Sequence, residues 1–286
     1  MMKKLRIAIL AFFLVVSAVF TYTFVNRRMT VDYNAPVINI GESVLTVSVE
    51  AGEEELLSGM TAHDNLDGDV TDTLVVISKS KFISKGRLHV NYAAFDSNKN
   101  IGTATRDVIY EDYYSPRFHL YEPLRYAAGT TGNDYLEHIT AEDCLDGNIT
   151  QQIKISFGKT TTASSESTVQ HIIVQVTNSC GDTSTLELVA SMEDYLLYSQ
   201  QAPALKEYIA YMPQGGTIDL RSYIVGVWAA GYVRSFDDTK FTAANVFVDE
   251  NGLDRSTPGV YNVIFKLRTA DGEELGSATL IVIVED

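Results

Sequence analysis

Only two of the 286 residues are cysteine and six are proline, and no C-x-x-C, H-E-x-x-H or G-x-S-x-G motif occurs anywhere. Those absences exclude a disulfide-dense scaffold, a helical zinc-protease centre and a serine nucleophile on a strand-to-helix elbow. Gly158-Lys159-Thr160 ends like a phosphate-binding loop, but the glycine needed five residues earlier is replaced by Ile153. Positive charge is scarce: 22 Lys and Arg stand against 37 Asp and Glu, a formal net charge of −15. A surface of that sign repels phosphate, so nucleic acid is not an expected partner. The five histidines, His63, His89, His119, His138 and His171, are scattered without ligand spacing. Paired acids such as Glu53-Glu54-Glu55 read as solvated faces. No catalytic set emerges, and the chain is not expected to be an enzyme.

Long apolar runs are limited to one. Ile7 to Val25 is 19 residues without a charge, flanked by Lys3, Lys4 and Arg6 on one side and Arg27 and Arg28 on the other. At a helical rise of about 1.5 Å per residue that just spans a hydrocarbon core. Val16-Ser17-Ala18 offers small residues to a signal peptidase. The run continues through Val19 to Val25, however, which favours an uncleaved anchor over a cleaved signal. Residues 1–28 are thus expected to form a cytoplasmic stub and membrane anchor, or else a signal peptide. The expectation is a single-pass protein of the cell membrane with residues 29–286 extracellular. All 37 acids and 17 of the 22 bases lie beyond Arg28, so that part carries −20. The span has no G-x-x-x-G motif to pair it with a second helix.

A ten-residue phrase then occurs twice. Ala62-His63-Asp64-Asn65-Leu66-Asp67-Gly68-Asp69-Val70-Thr71 returns 79 residues later as Ala141-Glu142-Asp143-Cys144-Leu145-Asp146-Gly147-Asn148-Ile149-Thr150. Recurrence at a fixed period means repeated modules. They start at Ala35-Pro36, Ser115-Pro116 and Ala202-Pro203, and each closes on an apolar strand followed by Glu-Asp. This sets modules at 35–112, 115–195 and 202–286. Apolar residues come in short alternating runs, as in Leu88 to Phe95, a polar turn at Asp96 to Gly102, then Thr103 to Tyr110. Ile172 to Ala190 and Tyr261 to Val284 repeat that hairpin, so the fold class is all-β, one sandwich per module. Tyrosines gather at the junctions: Tyr113, Tyr114, Tyr121, Tyr126 and Tyr135 at the first, Tyr195, Tyr198, Tyr208 and Tyr211 at the second. Inter-module packing and core are their expected uses, and a sugar-stacking surface is the alternative.

The phrase A-x-D-x-x-D-G-[DN]-[VI]-T, followed some 30 residues later by a strand and hairpin, resembles the bacterial immunoglobulin-like module of insecticidal crystal proteins and bacterial surface proteins. Hyalin-repeat modules are more distantly similar. The resemblance covers residues 35 to 195. The third module lacks the phrase and carries Trp228 within a longer middle segment. What the resemblance implies is an extracellular, seven-stranded immunoglobulin-like β-sandwich, and the modules are expected to stand in tandem after the single N-terminal transmembrane helix read from Ile7 to Val25.

Two constellations stand out. Asp64, Asp67 and Asp69, joined by Asp96 where the two loops meet at one end of the sandwich, present hard oxygens suited to Ca²⁺. Asx-turns with a left-handed glycine at Gly68 and Gly147 explain the same spacing without metal, and so no cofactor is required. The segment is not an EF-hand, since the twelfth position from Asp64 is Val75. Cys144 and Cys180 fall in the same two loops of the second module and read as a disulfide in an exported protein, with two thiols the alternative. The expected role is adhesion or partner binding at a bacterial surface, with an unknown protein or glycan ligand taken by the third module. A structural spacer in an envelope complex is the alternative, and an accessory to glycan processing ranks below both.

Overall fold

The computed structural model describes residues 2–30, 32–128, 134–164, 167–194 and 199–286. Tyr195 and Tyr198 lie outside the described residues. The first element is a helix, Met2–Thr30. Its apolar stretch Lys3–Asn26 is 24 residues long, and none of it is buried against the rest of the protein. A helix of this length and composition serves as a membrane anchor or as a signal sequence. From there on the chain is all-β, and it divides into two compact bodies, Met1–Tyr113 and Tyr114–Asp286.

In the first body seven strands make two sheets. Val37–Asn39, Thr61–Asp64 and Gly68–Asp69 form one; Val44–Val47, Ile101–Tyr110, Arg87–Phe95 and Val75–Lys79, in that order, form the other. The opening segment crosses between sheets. Val37–Asn39 pairs antiparallel with Thr61–Asp64, whereas Val44–Val47 runs parallel to Ile101–Tyr110. Gly41 makes the crossing, with φ of +63° and a missing Cβ that would lie 2.6 Å from the Gly59 carbonyl oxygen. The long hairpin is set by alternation: Leu88, Val90, Tyr92 and Ala94 are buried, while His89 and Asn91 between them are more exposed and Ala93 is buried as well. Leu88 opposes Val108, and the register holds from Arg87↔Ile109 to Phe95↔Ile101. Leu56 and Met60 fill the same core, and the Tyr92 hydroxyl, buried among them, donates to the Leu56 carbonyl at 3.0 Å.

The second body contains two more sandwiches of the same strand order. In the first of them Gly147–Asn148, Ile139–Asp143 and Arg117–Leu120 face Lys154–Ser164, Ser167–Thr177, Thr183–Glu193 and Arg125–Ala127. In the next, Ala202–Leu205, Ile224–Ala229 and Tyr232–Arg234 face Ile209–Pro213, Glu274–Glu285, Gly259–Arg268 and Val246–Asp249. In both, the second strand again runs parallel to the last. The chain is therefore a set of tandem immunoglobulin-like β-sandwiches after one N-terminal apolar helix.

These two sandwiches share one hydrophobic core. A single cluster runs from Phe118, Leu120, Ile139 and Ile172 through Tyr208 and Ile209 to Phe265, Leu280 and Val282. Backbone bonds seal the joint, Tyr208 N–H to Leu120 at 2.7 Å, and the Phe118 N–H donates to the Tyr211 hydroxyl at 2.7 Å. Arg117 pairs with Glu285 at 2.5 Å while its guanidinium lies 3.8 Å over the Tyr114 ring. Tyr126, Tyr135, Tyr208 and Tyr211 are thus used in packing, whereas Tyr121 is 53% exposed. Tyr126 sits edge-on to Tyr135 at 5.2 Å, and burial raises the Tyr208 hydroxyl to a pKa of about 12.

Candidate metal centre

At one end of the first sandwich the repeated phrase and the long hairpin meet. Asp64 ends its strand, and its Oδ1 accepts the N–H groups of Leu66 at 2.8 Å and Asp67 at 3.0 Å. Gly68, at φ +77°, then turns the chain back so that it pairs with Asp64. Asp96 follows the strand Arg87–Phe95 and closes its own turn, Oδ1 taking the Asn100 N–H at 2.7 Å and Oδ2 the Asn100 Nδ2 at 2.6 Å. Asp67 fastens the two loops together by accepting the Ser97 N–H at 2.7 Å and the Ser97 hydroxyl at 2.9 Å.

A third carboxylate arrives from the segment after the helix. Asp32 Oδ1 accepts the N–H and Nδ2 of Asn34 at 2.9 and 3.1 Å, and its carbonyl takes the Asn100 Nδ2 at 3.1 Å. One carboxylate oxygen each from Asp32, Asp64 and Asp96 lies within 4.8 Å of the others. The three residues are 7%, 1% and 7% exposed. Asp32 Oδ2 and Asp64 Oδ2 are buried without any hydrogen-bond partner. Among the described residues no Lys, Arg or His forms an ion pair with any of the three. The Asp67 N–H, then that of Leu66, hold the Asp64 pKa below the usual carboxylate value against the opposing effect of burial.

Of the four ligands expected from sequence, the structure therefore brings Asp64 and Asp96 together, adds Asp32, and turns Asp67 and Asp69 elsewhere. Asp67 belongs to Ser97, and Asp69 Oδ1 accepts the Thr71 N–H at 3.0 Å. The signal for Asp32 was present: Asp32-Tyr33-Asn34-Ala35-Pro36 and Asp112-Tyr113-Tyr114-Ser115-Pro116 share the pattern D-Y-x-[AS]-P. The repeat extends upstream of the proline near the start of each of these two modules.

The second sandwich provides the comparison. Asp143 Oδ1 again accepts two N–H groups, from Leu145 and Asp146, and Asp146 again holds the opposite loop through Ser179. Where the first sandwich has Asp96, the second has Asn178, whose Nδ2 donates to Asp143 Oδ2 at 3.1 Å. That oxygen corresponds to the one left without a partner at Asp64. Asp112, in the place of Asp32, gives its carboxylate to the Ser48 hydroxyl and the Val49 N–H, at 2.7 Å each. Cys144 and Cys180 lie on the two loops joined here, and Cys144 donates to the Tyr114 carbonyl at 3.3 Å.

Two further features lie in the second body. His119 Nδ1 is 2.6 Å from Glu207, and Nε2 is 3.2 Å from Glu142 without alignment for a hydrogen bond. The bond to Glu207 raises the His119 pKa, burial opposing it and Glu142 assisting. A cleft of about 560 Å³ is lined by Arg125, Glu193, Tyr208, Trp228 and Ala278 among others. Trp228 is 4% exposed, and its indole N–H has no acceptor.

No protein-family profile matches the chain. An uncharacterized 81.3 kDa protein of Acholeplasma phage L2 is 23% identical over 251 residues, covering 83% of this chain. The chain spans 30% of that relative's length. Among solved structures, the M60 catalytic domain of Clostridium perfringens ZmpB with its CBM51-1 and CBM51-2 domains is similar over 90% of this chain and 31% of that one, at 12% identity and a TM-score of 0.23. Human CDH23 EC21-23 is similar over 87% of this chain and all of that one, at 12% identity and a TM-score of 0.21. Similarity at that level carries no functional argument, and the fold assignment rests on this chain's own sheets.

Proposed function

We propose that this chain is a membrane-anchored, extracellular binding protein whose immunoglobulin-like sandwiches, of the bacterial surface type, engage a protein or glycan partner. The apolar helix Lys3–Asn26, with no buried part, supports anchoring, and the −20 charge of residues 29–286 suits an exported body. What carries binding over mere spacing is the cleft in the second body. Its volume, about 560 Å³, is in the range of ligand sites, and it combines aromatic walls, the Arg125–Glu193 ion pair at 2.6 Å and a buried indole N–H without an acceptor. An unsatisfied buried donor costs free energy that a ligand acceptor recovers. We read the chain as a binder rather than an enzyme.

The test uses the full chain in lipid nanodiscs against a glycan array and the surface proteins of the producing cell, with Trp228→Phe as control, which keeps the ring's stacking face and removes the N–H. Saturable binding weakened at least tenfold in the variant is the expected result. Absence of binding, or equal binding by the variant, moves the assignment to the second reading, a structural spacer. The core shared by the second and third sandwiches favours that reading, because it makes them one stiff unit.

A further inference from the structure

We infer that Asp32, Asp64 and Asp96 form a Ca²⁺ site that fastens the segment leaving the membrane helix to the first sandwich. Three carboxylates more than nine-tenths buried converge, among the described residues no positive side chain is paired to them, and two of their oxygens have no donor. Buried carboxylates at this spacing repel one another when ionised, and a bound cation supplies the compensating charge. The donors are all hard oxygens. Ca²⁺ binds such ligands at roughly 2.3–2.6 Å, so two of them stand at most about 5 Å apart, in keeping with the 4.8 Å limit here. Ca²⁺ also tolerates the irregular geometry of ligands drawn from three loops, whereas Mg²⁺ demands near-octahedral order.

In the second sandwich a hydrogen bond takes the place that the cation would fill. Asn178 replaces the second carboxylate and satisfies Asp143 Oδ2 with an amide hydrogen. Two differences thus separate the pockets: an amide replaces the Asp96 carboxylate, and Asp112, in the place of Asp32, is held by Ser48 and Val49. Asp32 lies two residues beyond Thr30, the last residue of the helix. Metal ligation at that point therefore ties the chain leaving the helix to the loops at 64 and 96.

The full chain in nanodiscs is titrated with Tb³⁺ followed by luminescence, then with Ca²⁺ as competitor. Hydrogen exchange is compared in Ca²⁺ and in EGTA. Wild-type protein should bind one equivalent of Ca²⁺ with a Kd on the order of 0.1 to 1 mM, the range of extracellular modules. Amides of residues 32–36 and 96–100 should exchange more slowly with the metal. Asp96→Asn, which copies the second sandwich, and Asp32→Asn should each weaken binding at least tenfold, while Asp146→Asn leaves it unchanged. Asp32 precedes the sandwich, so its variant decides the matter even where Asp96→Asn alters folding. Wild-type affinity in both variants, or exchange at 32–36 indifferent to Ca²⁺, would overturn the site.

Discussion

At the scale of single residues, the repeated phrase is a set of hydrogen-bond acceptors with separate duties. Asp67 and Asp146 each take a backbone N–H and a hydroxyl from the serine of the opposite loop. Asp67→Ala and Asp146→Ala should therefore each cost about 1 to 2 kcal/mol, the lower range for bonds to a charged group because these are solvent-exposed. Urea unfolding of each variant checks the pair, and unequal losses would mean the two loops are not equivalent. His119 gives a pH dependence of definite sign. Its folded-state pKa is raised, chiefly by Glu207, above the ordinary value of 6.5. The stability it adds is fully present below 6.5 and is lost as pH rises through the raised value. Thermal melts across that window should show the second body weakening toward alkaline pH, with the slope reduced in His119→Gln.

Among the elements, glycine positions separate steric from conformational demand. Gly102, on the strand Ile101–Tyr110, has no room for a side chain, since an added Cβ would fall 2.0 Å from the Pro36 carbonyl oxygen. Gly102→Ala should push the opening segment off the sandwich at a cost of about 2 to 3 kcal/mol, measured by chemical denaturation. Gly68 meets nothing within 4 Å and is fixed only by its φ of +77°. The two cysteines belong to this scale also. They lie on loops already joined by the Asp143–Asn178 and Asp146–Ser179 bonds. We propose that a thiol oxidant outside the cell takes two electrons and two protons from them to leave a bridge, which the chain-entropy relation values at about 3 to 4 kcal/mol. Alkylation of the unreduced, denatured protein should then label neither cysteine, and two labelled thiols would remove the bridge.

For the molecule as a whole, three sandwiches make two bodies. The second and third share the cluster from Phe118 to Val284, and their joint includes the Arg117–Glu285 pair, 26% and 20% exposed at the side chains. Calorimetry should thus resolve two unfolding transitions beyond the helix rather than three. Arg117→Ala should lower only the second body's transition, by about 2 kcal/mol, between the values for exposed and buried pairs. A third transition in the unaltered protein would show that the shared core does not couple the sandwiches.

The apolar run, the alternation along Leu88 to Phe95 and the doubled phrase were enough to specify a helix followed by all-β modules, because hydrophobic period and turn chemistry are local properties of the chain. The third sandwich has the strand order of the other two without their phrase, since its alternation at Val263, Phe265 and Leu267 buries the same face. Ligand convergence is not local. Asp32, Asp64 and Asp96 are about thirty residues apart in succession, and which acid faces which depends on the sheet register that places loop beside loop. The sequence offered four aspartates as equals, and tertiary structure sorted them, sending Asp67 and Asp69 to backbone partners and bringing in Asp32. The fusion of two modules into one body was equally hidden, because an apolar residue looks the same whether it fills its own core or its neighbour's.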